Sequence, residues 1–175
     1  FVGHGYMAPG VDVVASQYCF LVYPLVTKLF GANFIVVPAK NYEHDLDAMR
    51  KAITSQTRVV FVANPNNPTG TWFDRAELEA CLRAIPADVP VAVDEAYHEY
   101  VTEPAIGSAL ALRARHPNLV VTRTFSKGHG LAGLREHGVA GLEDVEHLGP
   151  DFERDGDAGG AEAFGKRGGI RHQDF

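Results

Sequence analysis

Three short polar clusters in this sequence carry residue types able to do chemistry, and each one closes an apolar run. Thr124-Phe125-Ser126-Lys127 follows the run LVVTR. A lysine in a buried loop loses its proton as desolvation lowers its pKa, and the free amine is then a nucleophile toward carbonyl carbon. The hydroxyls of Thr124 and Ser126 and the guanidinium of Arg135 are group types that bind a phosphate. Asp94-Glu95-Ala96-Tyr97 follows VPVAV. A carboxylate closing a buried strand is costly unless it meets a cation or a strong donor. A protonated pyridine nitrogen is one such partner, and a helix N-cap or a loop salt bridge is the plainer alternative. In Asn64-Pro65-Asn66-Asn67-Pro68-Thr69-Gly70, two prolines stiffen a loop from which asparagines present side-chain amides. Taken singly, these clusters read as a solvated lysine, a capping aspartate and a rigid turn. Together they complement a single ligand that offers a carbonyl carbon, a basic ring nitrogen and a phosphate.

The elements that must position these clusters are legible in the periodicity. Val11 to Ala15, Phe34 to Val37, Val59 to Ala63, Val91 to Val93 and Leu119 to Thr122 are short β-branched or apolar runs and read as strands. Helical stretches lie between them, near Tyr23 to Phe30, Leu46 to Ile53, Asp74 to Ile85 and Ile106 to Arg115. In the third, Asp74 and Glu77 have the spacing of a reciprocal capping pair, Leu78, Leu82 and Ile85 form an apolar face, and Pro86 ends it. The alternation predicts an α/β fold, a mostly parallel sheet flanked by helices. Open sheets of this class bind ligands at the carboxyl ends of their strands, where the three clusters fall.

NPNNPTG, DEAYHEY and RTFSKGHGLAGLR, in this order and spacing, resemble the class I/II aminotransferases of fold type I, and within them the histidinol-phosphate aminotransferases. The resemblance runs from about Ala8 to Arg135. It implies pyridoxal 5'-phosphate as cofactor, with Lys127 forming the Schiff base and moving a proton during the reaction. It also implies that Asp94 keeps the pyridine nitrogen protonated, so that the ring acts as an electron sink. Asn67 and Tyr97 would hydrogen-bond the phenolic oxygen, and Thr124, Ser126 and Arg135 would bind the phosphate. Phe20, in SQYCFLVY, falls where the family stacks an aromatic ring on the pyridine; a core phenylalanine is the competing reading. The implied reaction moves an amino group between L-histidinol phosphate and 2-oxoglutarate in a cytoplasmic homodimer of histidine biosynthesis. An aromatic amino-acid aminotransferase and a catalytically inactive remnant are the alternatives.

Other readings are weaker. The net charge of −6 and the absence of a basic stripe argue against a nucleic-acid partner, leaving small molecules or a second copy. No apolar run has the length of a membrane span. Cys19 and Cys81 stand far apart in apolar-patterned stretches, which predicts buried reduced thiols rather than a disulfide. Gly128-His129-Gly130-Leu131-Ala132-Gly133 matches the dinucleotide fingerprint formally, but Thr124 to Lys127 intervenes between strand and glycines. His98 with Glu95 and Glu99 would suggest a metal only on a helix, and His4, His44, His129 and His137 read as surface residues. Residues 1–135 are therefore expected to be part of a cofactor-binding large domain. Residues 136–175 hold half of the chain's 18 glycines and no apolar period, and are expected to be a largely disordered tail. The opening at Phe1 suggests a fragment, and the shift in composition after Arg135 suggests a frameshift.

Overall fold

The computed structural model describes residues 2–132 and the backbone of residues 137–140. Six strands form one sheet: β1 (Asp12–Ser16), β2 (Asn33–Val37), β3 (Thr57–Ala63), β4 (Val91–Asp94), β5 (Leu119–Thr124) and β6 (His137–Ala140), in the spatial order β2-β1-β3-β4-β5-β6. The first five are parallel and β6 is antiparallel to β5. Four helices accompany them: α1 (Val2–Tyr6), α2 (Val22–Leu29), α3 (Leu46–Lys51) and α4 (Arg75–Ala84). Two 3-10 segments, His98–Tyr100 and Ala109–Arg115, follow β4.

The valine-rich strands form because parallel strands need apolar side chains on both faces. Val14, Val60, Val62, Val91, Val93 and Val121 point to one side and pack with Met49 of α3 and Leu78 and Leu82 of α4. Val13, Ala15, Val59, Phe61 and Ala92 alternate to the other side, against Tyr23 and Val26 of α2. Burying each side chain of leucine or valine size in this way stabilises the fold by roughly 1.5–3 kcal/mol. Helix α4 starts as the capping pair predicts: the Asp74 side chain accepts from the Glu77 amide at 2.7 Å and the Glu77 side chain accepts from the Asp74 amide at 2.9 Å.

Three local expectations are corrected. The segment expected to be helical from Ile106 folds as a 3-10 turn from Ala109, because its start is tied down: the Ser108 hydroxyl accepts from Leu110 while the Ala109 amide donates to Glu95. Helix α1 went unrecognised, since five residues containing two glycines show no helical period. His137–Ala140, placed in the tail on sequence grounds, forms β6. Its register pairs Val121 with Ala140 and Thr124 with His137. An antiparallel ladder is made by backbone groups, so four residues can join a sheet without showing a side-chain pattern. The rest of the expected tail, from 141 onward, lies outside the described residues.

Candidate functional site

Parallel pairing brings the carboxyl ends of β1, β3, β4 and β5 to one edge of the sheet. β1 lies between β2 and β3, so the strand order reverses at the β1/β3 boundary, where connections diverge and leave a crevice. Phe20 follows β1, Asn67 follows β3, Asp94 and Tyr97 end and follow β4, and Thr124, Ser126 and Lys127 end and follow β5. Arg135 lies outside the described residues. The register Ala63↔Asp94 and Asp94↔Thr122 keeps β3, β4 and β5 level, and the Asn64 amide donates to the Asp94 carbonyl at 3.0 Å.

Asp94 is half-buried, and both of its carboxylate oxygens are anchored. The Tyr23 hydroxyl donates to Oδ2 at 2.7 Å, and the Ala96 amide donates to Oδ1 at 3.0 Å. A carboxylate oxygen accepts about two hydrogen bonds, so acceptor capacity remains on each. Burial and the Asp94 charge both push the Tyr23 pKa upward, so this phenol remains a neutral donor. Tyr23 was not singled out from the sequence, where it only opened a helical stretch. The fully buried carboxylate is instead its neighbour Glu95, 2% exposed. Two guanidinium nitrogens of Arg123 donate to Glu95 Oε2 at 2.9 and 2.8 Å, joined by the Ser108 hydroxyl and the Ala109 amide. The expected strand-end ion pair therefore exists, one residue later than the sequence suggested.

The asparagine loop divides its labour. Asn64 bonds the Phe73 backbone in both directions, its Nδ2 donating at 3.0 Å and its Oδ1 accepting at 3.2 Å. Asn66 Nδ2 donates to the Tyr18 carbonyl at 2.7 Å and to the Thr69 hydroxyl at 2.8 Å, binding the loop after β3 to the loop after β1. Asn67, half-buried beside them, makes no side-chain hydrogen bond among the described residues. Its amide stands available.

Along the polar side chains that end and follow β5, exposure rises from buried Thr124 through half-buried Ser126 to exposed Lys127. The Thr124 and Ser126 hydroxyls lie 2.7 Å apart, and the Ser126 amide donates to the Thr124 hydroxyl at 3.1 Å. Lys127 is exposed rather than buried, so the desolvation invoked from the sequence is not supplied by the described residues. Its Nζ lies 5.6 Å from the centroid of the Tyr97 ring, a cation–π contact that links two expected site residues. The glycines behind it have local duties. A Cβ on Gly128 would stand 2.7 Å from Glu99 Cβ, and Gly130 has φ +65° in the turn that returns to Lys127. These duties account for the string that resembles a dinucleotide fingerprint.

Phe20 is 36% exposed and meets the Tyr23 ring edge-on at 5.8 Å. It is thus a surface aromatic at the crevice and not a core residue. His44 corrects the surface reading given to it: it is half-buried, and burial pushes its pKa down to about 4 against a smaller opposing pull from the Ala63 backbone. Cys19 and Cys81 are unpaired and half-buried, with burial raising both thiols. Among the described residues, no group of His, Cys, Asp and Glu is placed to hold a metal ion, and no helix is long and apolar enough to cross a membrane.

Residues 5–146 match the family described as aminotransferase class I and II, a span that reaches beyond Arg135 and includes β6. The chain is 55% identical over 135 residues to histidinol-phosphate aminotransferase 1 of Nitrosococcus oceani, covering 77% of this chain and 36% of that protein. Histidinol-phosphate aminotransferase 2 of Pseudomonas aeruginosa is 54% identical over 134 residues, with the same coverage. The chain thus spans about a third of the length of the curated relatives it matches. In three dimensions it is similar to the histidinol-phosphate aminotransferase of Sinorhizobium meliloti, solved in complex with pyridoxal-5'-phosphate: TM-score 0.80 and 26% identity, over 94% of this chain and 47% of that one. An aspartate aminotransferase of Thermus thermophilus is similar at TM-score 0.74 and 25% identity, over 82% and 38%. With its parallel sheet and with the NPNNPTG, DEAY and TFSK segments ending adjacent strands, this chain belongs to the class I and II aminotransferase family.

Proposed function

We propose that this chain carries the lysine-bearing part of a pyridoxal-phosphate site and works in the transamination of L-histidinol phosphate with 2-oxoglutarate. The observation that carries the reading is the gathering of Asn67, Asp94, Tyr97 and Lys127 on the loops of three adjacent parallel strands, each with bonding capacity to spare. The donor set fits the cofactor. An exposed amine suits its aldehyde, an anchored carboxylate with free lone pairs suits its ring nitrogen, and paired hydroxyls suit its phosphate. When bound, the cofactor supplies an electron sink for the charge left at the substrate Cα.

In this reading the chain's own residues have separable tasks. Lys127 would hold the cofactor through its aldehyde and would hold or return a proton at the substrate Cα. Asp94, fixed by the Tyr23 hydroxyl and the Ala96 amide, would receive the ring nitrogen. Asn67 and Tyr97 would hold the phenolic oxygen, Phe20 would cover the ring, and Thr124 and Ser126 with Arg135 would hold the phosphate. The histidinol-phosphate assignment is supported by relatives at 54–55% identity that carry that name. A homodimer acting in the cytoplasm accords with this assignment.

The test is to add pyridoxal phosphate to the purified chain, reduce with borohydride and map the modified peptide by mass spectrometry. Label on Lys127 is the expected outcome; folded protein without label overturns the reading. Binding of L-histidinol phosphate in preference to L-phenylalanine by the loaded chain is the expected donor preference, and the reverse order points to an aromatic aminotransferase.

A further inference from the structure

From the contacts around the Asp94 carboxylate we infer that Tyr23 is a positioning residue for the cofactor, setting the Asp94 carboxylate and the Phe20 ring together. The inference rests on the function proposed above and deepens it.

Tyr23 is 5% exposed, and its ring is wedged in place. It stacks on Phe61 with centroids 4.4 Å apart and planes 5° from parallel, while Phe20 abuts it edge-on at 5.8 Å. The Tyr23 amide also donates to the Phe20 carbonyl at 3.0 Å, so the two residues form one rigid turn at the start of α2. From that fixed ring the hydroxyl reaches across 71 positions of sequence to Asp94 Oδ2. A phenol has one proton to donate, and here its direction is set by the packing of the ring.

Two consequences follow for a ligand in the crevice. Without the phenol, Asp94 would keep only the Ala96 amide on Oδ1 and its carboxylate plane could rotate. With it, both oxygens are fixed, and the carboxylate plane is held in one orientation toward the crevice. The same side chain touches Phe20, so the face and the nitrogen edge of a bound pyridine would be located by a single rigid group. Positioning of this kind acts through orientation, where small displacements have large effects.

The experiment uses the full chain. Pyridoxal-phosphate binding is followed by fluorescence and by borohydride trapping on Lys127, for wild type, Tyr23→Phe, Asp94→Ala and the double variant, with circular dichroism to check folding. Loss of a hydrogen bond to a charged group predicts about 10- to 100-fold weaker cofactor binding for Tyr23→Phe. Because Tyr23 acts through Asp94, the double variant should bind no more weakly than Asp94→Ala alone. A purely structural role would instead give additive losses and a shifted unfolding midpoint. Phe61→Leu, which disturbs the ring packing but not the hydroxyl, should weaken binding less than Tyr23→Phe. Wild-type affinity in a folded Tyr23→Phe, or additivity with Asp94→Ala, overturns the inference while leaving the proposed function standing. A wild-type chain that takes no label on Lys127 overturns both.

Discussion

Asp94 and Glu95 are adjacent acids on one loop, and the fold uses them in opposite ways. Glu95 turns inward, where Arg123, Ser108 and Ala109 engage both of its oxygens. Asp94 receives one donor on each oxygen and keeps capacity for another. The same division recurs in the asparagine loop, where the side chains of Asn64 and Asn66 bond the protein and that of Asn67 makes no hydrogen bond among the described residues. Side chains fully engaged with the protein and side chains with bonding capacity to spare thus sit side by side along the chain; under the proposed function the first brace the site and the second serve it. A substitution in the first class should cost stability, and one in the second should cost ligand binding.

The sharpest test of this division is Lys127→Ala. An exposed side chain contributes little to stability, so the fold should survive with its unfolding midpoint unchanged while borohydride trapping disappears entirely. Next, Glu95→Ala removes the carboxylate that pairs with the Arg123 guanidinium, a change worth about 3–5 kcal/mol when both charges are deeply buried. Arg123 is 31% exposed and remains partly solvated, so about 2–3 kcal/mol is expected here, read as a lower urea midpoint. Asp94→Ala in the same assay should cost under about 1 kcal/mol. Equal losses for the two variants would break the comparison.

A third test asks whether His44, whose half-buried ring lies 6.3 Å from that of Phe73, belongs to the bracing class. Its pKa is depressed in the folded chain to about 4, below the unfolded value near 6.5. The unfolded chain therefore binds more protons between these values. The stability contribution is complete above about pH 6.5 and is lost as pH falls toward 4, by on the order of 2–3 kcal/mol. Urea midpoints across that window should slope upward with pH, and His44→Phe should flatten the slope; an unchanged slope in the variant would remove His44 from the bracing class. The last test is Asp74→Ala, which deletes the cap of α4 and should cost about 1 kcal/mol without changing cofactor binding.

Much of this arrangement was legible from the residues. The five parallel strands could be placed because they are runs of valine and its like, fully buried in the centre of the sheet and partly so at the β2 edge, and α4 because a capping pair, an apolar face and a terminal proline are all local. The family resemblance likewise rests on contiguous strings. What escaped was short or long-range. α1 and β6 are too brief to show a period, and the exposure of Lys127 depends on packing rather than on its neighbours in sequence. Tyr23 escaped because its partner lies 71 residues away.

The sequence by itself determined which segments become strands, where helix α4 starts, and which residue types stand at the strand ends, since propensity, capping and hydrophobic period act within a few residues. The tertiary structure decided which of two neighbouring acids is buried in an ion pair and which keeps free lone pairs for a ligand. It also decided that Tyr23 anchors the latter. Those outcomes depend on Arg123 of β5 and Tyr23 of α2, distant in sequence from residues 94 and 95, and only the assembled sheet brings them within hydrogen-bond reach.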